Sequence, residues 1–540
     1  MKSSIKRRTR VAAVLAAGTM LLAGCGNGSS SSDDNSSSGD LSLAEIYKTG
    51  LVNVKAPSGD PKDGGTLTVA DFGEPRVLDP AVTYANGATG GSAMAAIYDT
   101  LVRYDYTKGS WEPQLAESLT SDDNITWTLK LRDGVKFTDG TPLNADAVLA
   151  SQKYYASKYA YQSLLMMANV AETKKVDDTT ITYKLRSPWT TFPNMLAQGP
   201  GMIMAPAAYK DPAAFKPIGA GPFVFDQYKP GEELTLKANP DYFNGKPHLD
   251  GLKFVWLGAV EDKPKLEALT SGNADTAFLR AGNIVEQARK DGLPGMMFGT
   301  GMAANFWINV REGHPGADVR VRQAINLAFD VDSFNERARE GGISTKGFFA
   351  SSSPWYTDVT PPKTNQEEAK KLLKDAMGDG YNGEITYSHG ADPTSQKQAV
   401  TLKAMLEAVG FKVKLDPLRS VADQVQKIYR EHTYDMAIAA TTLSDIDPYT
   451  RLAGVLCSQS PSNAAGYANP EMDKLLSQLQ AADSPETGKS IMAQIEKLWF
   501  DEVPGIGIAA GGTFQAWNKD VHGIAPTTEE MVLYDKAWKE

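Results

Sequence analysis

Cysteine and histidine are the scarcest chemistry-bearing residues in this chain of 540: two of the first, Cys25 and Cys457, and five of the second. Two thiols allow at most one disulfide, so this is not a disulfide framework. The histidines (His248, His314, His389, His432 and His522) stand far apart. None belongs to a His-x-x-x-His pair or neighbours a cysteine, the spacing a zinc site needs. No metal and no cofactor is therefore expected. Also missing are the Gly-x-x-x-x-Gly-Lys-Ser/Thr loop that cradles phosphate and a Gly-x-Gly-x-x-Gly after a strand. There is no Gly-x-Ser-x-Gly elbow for acyl transfer. Basic charge is short as well: 55 Lys and Arg stand against 65 Asp and Glu, a net −10. That balance argues against nucleic acid as a partner, because phosphate binding needs basic patches.

What is present begins at the N-terminus. Residues 1–10 carry Lys2, Lys6, Arg7, Arg8 and Arg10, residues 11–22 are apolar, and Leu22-Ala23-Gly24-Cys25 follows. The apolar run is too short to span a bilayer comfortably and has the flanks of a secretory signal. The tetrapeptide resembles the lipobox of bacterial lipoproteins, which implies that residues 1–24 are a signal peptide and that Cys25 is diacylated and becomes residue one. Two acyl chains anchor stably, since each buried CH₂ contributes roughly 0.8 kcal/mol. Removing the five basic side chains leaves a still more acidic body. Cys457 is then without an internal partner and reads as a small buried hydrophobe in a mostly apolar stretch.

Residues 26–40 are nearly all Gly, Ser, Asn and Asp, which cannot offset the entropy of ordering, so residues 25–62 read as a lipidated flexible tether. Within it, residues 41–54 form a short amphipathic segment. The body beyond is too long for one small core, and at 42% hydrophobic the chain can fill more than one. Alternation predicts strands over residues 65–70, 125–131 and 180–185, and helical spacing predicts helices over 92–102 and from 141 through the Tyr154-Tyr155 region. Gly219-Ala220-Gly221-Pro222 is a turn into a hairpin strand at 223–225 that pairs with 234–236. Later, a strand at 384–387, a helix over 395–409 closed by Gly410 and a strand at 412–415 read as a βαβ unit with a parallel sheet. Further helices are expected at 317–330, 365–377, 472–482 and 488–500, and a buried strand at 435–440. The class is α/β, in two bodies, and ligand sites in such folds lie between domains at strand ends.

From about residue 64 to about 510 the chain resembles the bacterial family-5 extracellular solute-binding proteins, the oligopeptide, dipeptide and nickel binders. The resemblance rests on blocks in order: Gly64-Gly65-Thr66-Leu67 with Leu78-Asp79-Pro80, then Ile97-Tyr98-Asp99-Thr100-Leu101-Val102. Trp111-Glu112-Pro113-Gln114-Leu115-Ala116-Glu117-Ser118 follows, and the most specific block, WTLKLRDGVKFTDGTPLNADAVLA, covers residues 127–150. After these stand Gly219-Ala220-Gly221-Pro222-Phe223, Asn239-Pro240-Asp241-Tyr242-Phe243, Asp318-Val319-Arg320-Val321-Arg322-Gln323-Ala324-Ile325 and Tyr467-Ala468-Asn469-Pro470-Glu471-Met472-Asp473. Arg320 and Arg322 read as surface ion pairs at a helix start rather than as a site.

The resemblance implies a two-lobed periplasmic-binding-protein-like fold (type II, cluster C) with two crossover strands. Residues 63–94, 203–310 and 510–540 would make lobe one, 95–202 an inserted subdomain, and 311–509 lobe two. It implies a monomeric binding lipoprotein of an ATP-binding-cassette importer, not an enzyme. Such a protein sits on the extracytoplasmic face of the cell membrane and delivers an oligopeptide or dipeptide to permease subunits. Extended ligands of peptide-binding relatives lie between two backbone segments as an added strand. Those segments fall at Tyr84-Ala85-Asn86 and Ala440-Thr441-Thr442, with Phe306, Trp307 and Trp355 as aromatics that would line the cleft. Peptide binders hold the ligand ammonium with an aspartate four residues before a proline. Here that position is Ser444, in Ser444-Asp445-Ile446-Asp447-Pro448. Either Asp445 takes over one residue later, or the ligand lacks a free amine, because a serine hydroxyl does not replace a charge-assisted bond. A sugar, an opine-like solute or a metal chelate remains an alternative within the family. A secreted cell-envelope enzyme and a peptide-signal receptor are alternatives outside it.

Overall fold

The structure is a computed structural model, and it describes residues 41–540 apart from 159–160, 212–213, 259–260 and 340. The expected signal peptide, Cys25 and the serine-rich part of the expected tether lie outside the described residues. Residues 41–540 form one unit.

Its backbone is a mixed sheet built around two long strands. Gly295–Ile308 and Gly505–Trp517 run antiparallel to each other, and the sheet order passes through them. On one side follow Thr276–Leu279, Thr66–Ala70, Gly251–Val255, Glu233–Ala238 and Phe223–Lys229; on the other follow Met436–Ala439, Glu384–Gly390 and Lys412–Leu418. Each long strand therefore belongs to one half of the molecule at one end and to the other half at the other. Phe514 to Trp517 pair with Thr276–Leu279, whereas Asn305 to Ile308 pair with Met436–Ala439. Their mutual register shifts between Thr300 and Asn305, and there Met302 takes a φ of 43°. A bulge at that point bends the ladder and re-aims its side chains.

The predicted βαβ unit is present. Glu384–Gly390 and Lys412–Leu418 pair in parallel across the helix Pro393–Glu407, whose N-cap Asp392 accepts the Ser395 amide. Met436–Ala439 pairs in parallel with Glu384–Gly390 on its other side. Glu384–Gly390 is mostly buried between its two neighbours, whereas the edge strand Lys412–Leu418 turns Lys412, Lys414 and Pro417 outward and buries Val413. A separate antiparallel sheet, in the order Ala116–Thr120, Thr126–Leu131, Thr180–Leu185, Val170–Lys175, lies wholly within residues 116–185. Its core is continuous with side chains of the second half of the chain: Trp189 meets Tyr449 edge-on at 5.7 Å.

One expected helix is corrected. The helix predicted over 92–102 is Gly91–Tyr98 and stops at Asp99, which has a φ of 57°. The Asp99 carboxylate is drawn inward to accept from the Tyr242 hydroxyl (2.6 Å) and the Gln114 amide (3.3 Å). Val102 then opens a strand, Val102–Asp105, paired with Ser110–Pro113. Apolar spacing continued past the helix because every residue from 91 to 102 is buried. Arg320 pairs with Asp318 (2.6 Å) and Asp379 (2.7 Å), as its sequence position suggested. Arg322 also forms an ion pair, with Glu502 at 3.4 Å, but it is buried and donates to the Glu502 carbonyl at 2.7 Å, closing a helix end rather than sitting on the surface.

Candidate functional site

The bulge in Gly295–Ile308 builds a cleft. The Thr442 amide donates to the Met302 carbonyl at 3.1 Å, and Thr442 itself has a φ of 55°. A β-branched side chain in the left-handed region is an outlier that only its surroundings can hold in place. The chain then turns back, so that Leu443 and Ser444 pair with Gly301 and Thr300. Asp447 caps the helix Pro448–Leu456 by accepting the Thr450 amide. A cavity of about 50 Å³ opens here, lined by Thr49, Asn86, Tyr106, Arg280, Phe298, Thr300, Thr442, Ser444, Asp445, Arg451, Glu529 and Glu530. Other cavities are larger, and one of about 480 Å³ runs along the strands Glu384–Gly390 and Lys412–Leu418. Another, of about 300 Å³, lies against the helices Ala145–Ser157 and Tyr161–Asn169, away from this concentration of charge. A third, about 340 Å³, lies behind Asp445 between Trp355, Tyr449 and Pro485. The charged cleft is the better candidate on chemistry rather than size, because both signs of charge converge there on strained backbone.

Asp445 has both carboxylate oxygens engaged by hydroxyls: Thr49 donates to Oδ2 and Ser353 to Oδ1, each at 2.5 Å. Burial raises its pKa above the ordinary carboxylate range, and the two hydroxyls oppose that rise. Thr49 comes from the N-terminal end of the described unit, which packs into the body by burying Ile46 and Tyr47 and by adding Gly50–Val52 as a strand to Gly295–Ile308. Gly299 makes this approach possible, since a Cβ there would stand 2.5 Å from the Tyr47 carbonyl and 2.8 Å from the Thr49 hydroxyl. Across the cleft, Tyr84 donates to Glu529 Oε2 at 2.5 Å, and Arg451 donates to the same oxygen at 3.1 Å with its guanidinium 4.8 Å from the Tyr84 ring centre. Glu529 and Glu530 have φ values of 55° and 61°, and the Glu529 carbonyl accepts the Gly87 amide at 2.8 Å. Glu530 accepts from Thr513 at 2.8 Å. The Tyr106 hydroxyl is lifted well above its usual range, first by burial and then by the charges of Asp445, Glu530 and Glu529.

Of the residues singled out in the sequence, Asn86, Thr442, Ser444 and Asp445 meet in this cleft. Tyr84 stands beside it through Glu529 and Arg451. Ala85 is fully buried, and Thr441 is buried with its hydroxyl and amide both on Asn305 Oδ1. Ala440 is exposed. Trp307 is in the core, edge-on to Trp499 at 5.6 Å, because strand alternation turns it towards the helix Pro485–Glu502. Phe306, on the opposite face, packs among Phe329, Phe334 and Tyr387. Trp355 lies behind the cleft and donates its indole N–H to the Asp445 carbonyl at 2.8 Å. The sequence reading missed Thr49, Tyr106, Arg280, Arg451, Glu529 and Glu530. Arg451 had a signal, lying one helical turn after Pro448; the others come from segments hundreds of residues apart.

Comparison with known proteins now gives the class. The family described as bacterial extracellular solute-binding proteins, family 5 (middle region), matches residues 110–463, and this chain belongs to that family. Among curated relatives, the glutathione-binding protein GsiB of Escherichia coli strain K12 is 27% identical over 434 residues, 77% of this chain and 84% of its own. The "Probable di/tripeptide-binding protein 5" of Pseudomonas aeruginosa is 28% identical over 499 residues, 86% of this chain and 93% of its own. Among solved structures, the periplasmic binding protein DppA of Helicobacter pylori in complex with the peptide STSA superimposes with a TM-score of 0.73 at 24% identity, covering 89% of this chain and 99% of that one. The fold is thus the two-lobed binding-protein fold. Among the described residues no group of three His, Cys, Asp or Glu is placed to hold a metal ion, and no helix is long and apolar enough to cross a membrane.

Proposed function

We propose that this chain is the solute-capturing lipoprotein of an ATP-binding-cassette importer, and that its solute is a short peptide or a peptide-like compound. The observation that carries the reading is the cleft at the crossover bulge, where Arg280 and Arg451 face Asp445, Glu529 and Glu530. A peptide is zwitterionic and rich in backbone donors and acceptors, and such a wall complements both. The peptide- and glutathione-binding relatives support the same class. In this reading residues 63–94, 203–310 and 510–540 form one lobe, 95–202 the insert and 311–509 the other lobe. The self-contained sheet within 116–185 and the parallel sheet within 384–439 support that division. Diacylated Cys25 tethers the body to the extracytoplasmic face, the permease subunits receive the solute, and the protein changes nothing in it. Because both Asp445 oxygens already hold hydroxyls, a solute with its amine blocked or absent, opine-like or acylated, is the second reading.

The test is native mass spectrometry of the purified protein, followed by melting shifts with a short-peptide library. A ligand bound only by the native state stabilises by about 2.7 kcal/mol at a hundredfold excess over Kd. Upward shifts with the peptides recovered intact are expected. Peptides cleaved at catalytic ratios would sink the binding-protein reading, and no shift with any peptide would sink the peptide.

A further inference from the structure

Arg280 is a cleft guanidinium that the protein leaves short of partners. It directly follows the strand Thr276–Leu279, and its backbone is clamped: the amides of Arg280 and Ala281 both donate to Asp262 Oδ2. Asp262 in turn holds the Lys265 ammonium at 3.1 Å, with both side chains fully buried. The Arg280 side chain passes 5.7 Å from the centre of the Phe72 ring. It ends at the cleft wall with one long hydrogen bond, 3.5 Å, to the Thr442 hydroxyl. Among the described residues it forms no ion pair, whereas Arg451 has its charge matched by Glu529 at 3.1 Å.

A guanidinium presents five N–H donors in a rigid plane, and one distant hydroxyl with one ring face uses few of them. The group that satisfies the rest is a carboxylate, which takes two parallel N–H bonds at once. The Thr442 hydroxyl that meets Arg280 sits on one of the strained residues of the cleft, at a φ of 55°. Strain of this kind persists where the surroundings over-determine it and clusters at ligand clamps. A clamped cation and a strained hydroxyl thus converge on one point of the wall from distant parts of the chain.

We propose that Arg280 and Thr442 form a carboxylate-receiving subsite, so that the captured solute presents a carboxylate to this end of the cleft. The proposal rests on the cleft being the solute site and narrows the solute to compounds with a free carboxylate. It is tested on the full mature protein with trialanine and trialanine amide, by calorimetry on the wild type, Arg280→Gln and Arg280→Lys. The wild type should prefer the free acid by about tenfold or more, as a charge-assisted bidentate pair does over a neutral contact. Arg280→Gln should bring that ratio close to one by losing the acid while keeping the amide, and Arg280→Lys should retain part of it. Equal binding of the two peptides by the wild type, or an unchanged ratio in Arg280→Gln, overturns the subsite. Should Arg280→Gln fail to fold, the ratio is read on Arg280→Lys, which keeps the charge and loses the bidentate geometry; an undiminished ratio there counts against the proposal. If neither peptide binds the wild type, the peptide reading falls and acetate and succinate decide the subsite. A melting shift above that of chloride at equal ionic strength, abolished in Arg280→Gln, supports it, and the absence of such a shift, or an equal shift in both proteins, refutes it.

Discussion

The Thr49 hydroxyl donates to Asp445 Oδ2 at 2.5 Å, joining a segment that precedes the family's matched region to the wall of the proposed solute cleft. The same hydroxyl accepts the Gly299 amide at 3.0 Å, so Thr49 is fixed from two sides. A hydrogen bond to a charged group contributes about 1.5–3 kcal/mol, and Thr49→Val should lose about that much. Thr49→Ser should recover most of it. Melting of the single variants and of Thr49→Val combined with Asp445→Asn gives the coupling; additive effects would show that the two side chains do not act on each other.

The occupied oxygens of Asp445 also set an expectation for ligand choice. With Thr49 and Ser353 on its two oxygens, Asp445 should discriminate little between a peptide and its N-acetylated form. Trialanine and N-acetyl-trialanine are expected to bind the wild type within about threefold of each other, well under 1 kcal/mol apart. A preference for the free amine above about tenfold that vanishes in Asp445→Asn would make Asp445 the ammonium anchor after all.

Several buried carboxyls make stability depend on pH, Asp71 and Asp99 among them. Burial pushes Asp71 and Asp99 up to about 7. In the unfolded chain both ionise near their ordinary value of 3.8. As pH rises between these limits the unfolded chain gives up protons that the folded protein keeps, so their contribution is complete at low pH and is lost by about pH 7. Asp99→Asn removes one of these titrations, and its amide still offers an acceptor near Tyr242. The melting temperature of the variant relative to the wild type should therefore rise from about pH 5 to about pH 8. A constant difference would mean that Asp99 does not titrate in that window.

Most of the body was legible because its elements are locally consistent. The βαβ unit from Glu384 to Leu418 has helical and strand periods that change at Asp392 and Gly410, and both boundaries are chemical punctuation. The helix Pro448–Leu456 escapes the sequence reading although Asp447 and Pro448 are a cap and a first-turn proline, because that reading assigns the segment to a ligand anchor. The cleft was legible only in part. Ser444 and Asp445 stood in a recognisable block, but what they face depends on register: a bulge at Met302 decides which side chains meet, and no local pattern announces it. Glu529 and Glu530 belong to the cleft because the chain returns there after more than 400 residues, to within 2.8 Å of the Gly87 amide. Trp307 shows the converse failure, since alternation said that it faces one side but not which partner fills that side.

At the N-terminus, Leu22-Ala23-Gly24-Cys25 predicts that the mature chain begins at Cys25 and carries lipid. Cys25→Ala should leave a precursor or a released protein that takes up no labelled fatty acid in cells. Incorporation of label into that variant would place the anchor elsewhere. The acyl chains matter mechanically, because each CH₂ adds roughly 0.8 kcal/mol of membrane affinity, and two chains hold where one only exchanges.

Asn194 gives the sharpest stability test. Its amide donates to the buried Asp447 carboxylate at 2.8 Å, and its carbonyl oxygen accepts from Thr528 at 2.7 Å. Burial raises the Asp447 pKa while Thr450 and Asn194 hold it down. Asn194→Ala removes one donor from a buried charge and should cost about 1–3 kcal/mol. Asn194→Asp sets a second carboxylate against the first, and two carboxylates in one buried site cannot both ionise without a large penalty. The aspartate variant should therefore melt below the alanine variant at about pH 8, and the gap should narrow or reverse at about pH 5, where the pair shares a proton. If the two variants keep a fixed separation across that range, Asn194 and Asp447 are not in electrostatic contact.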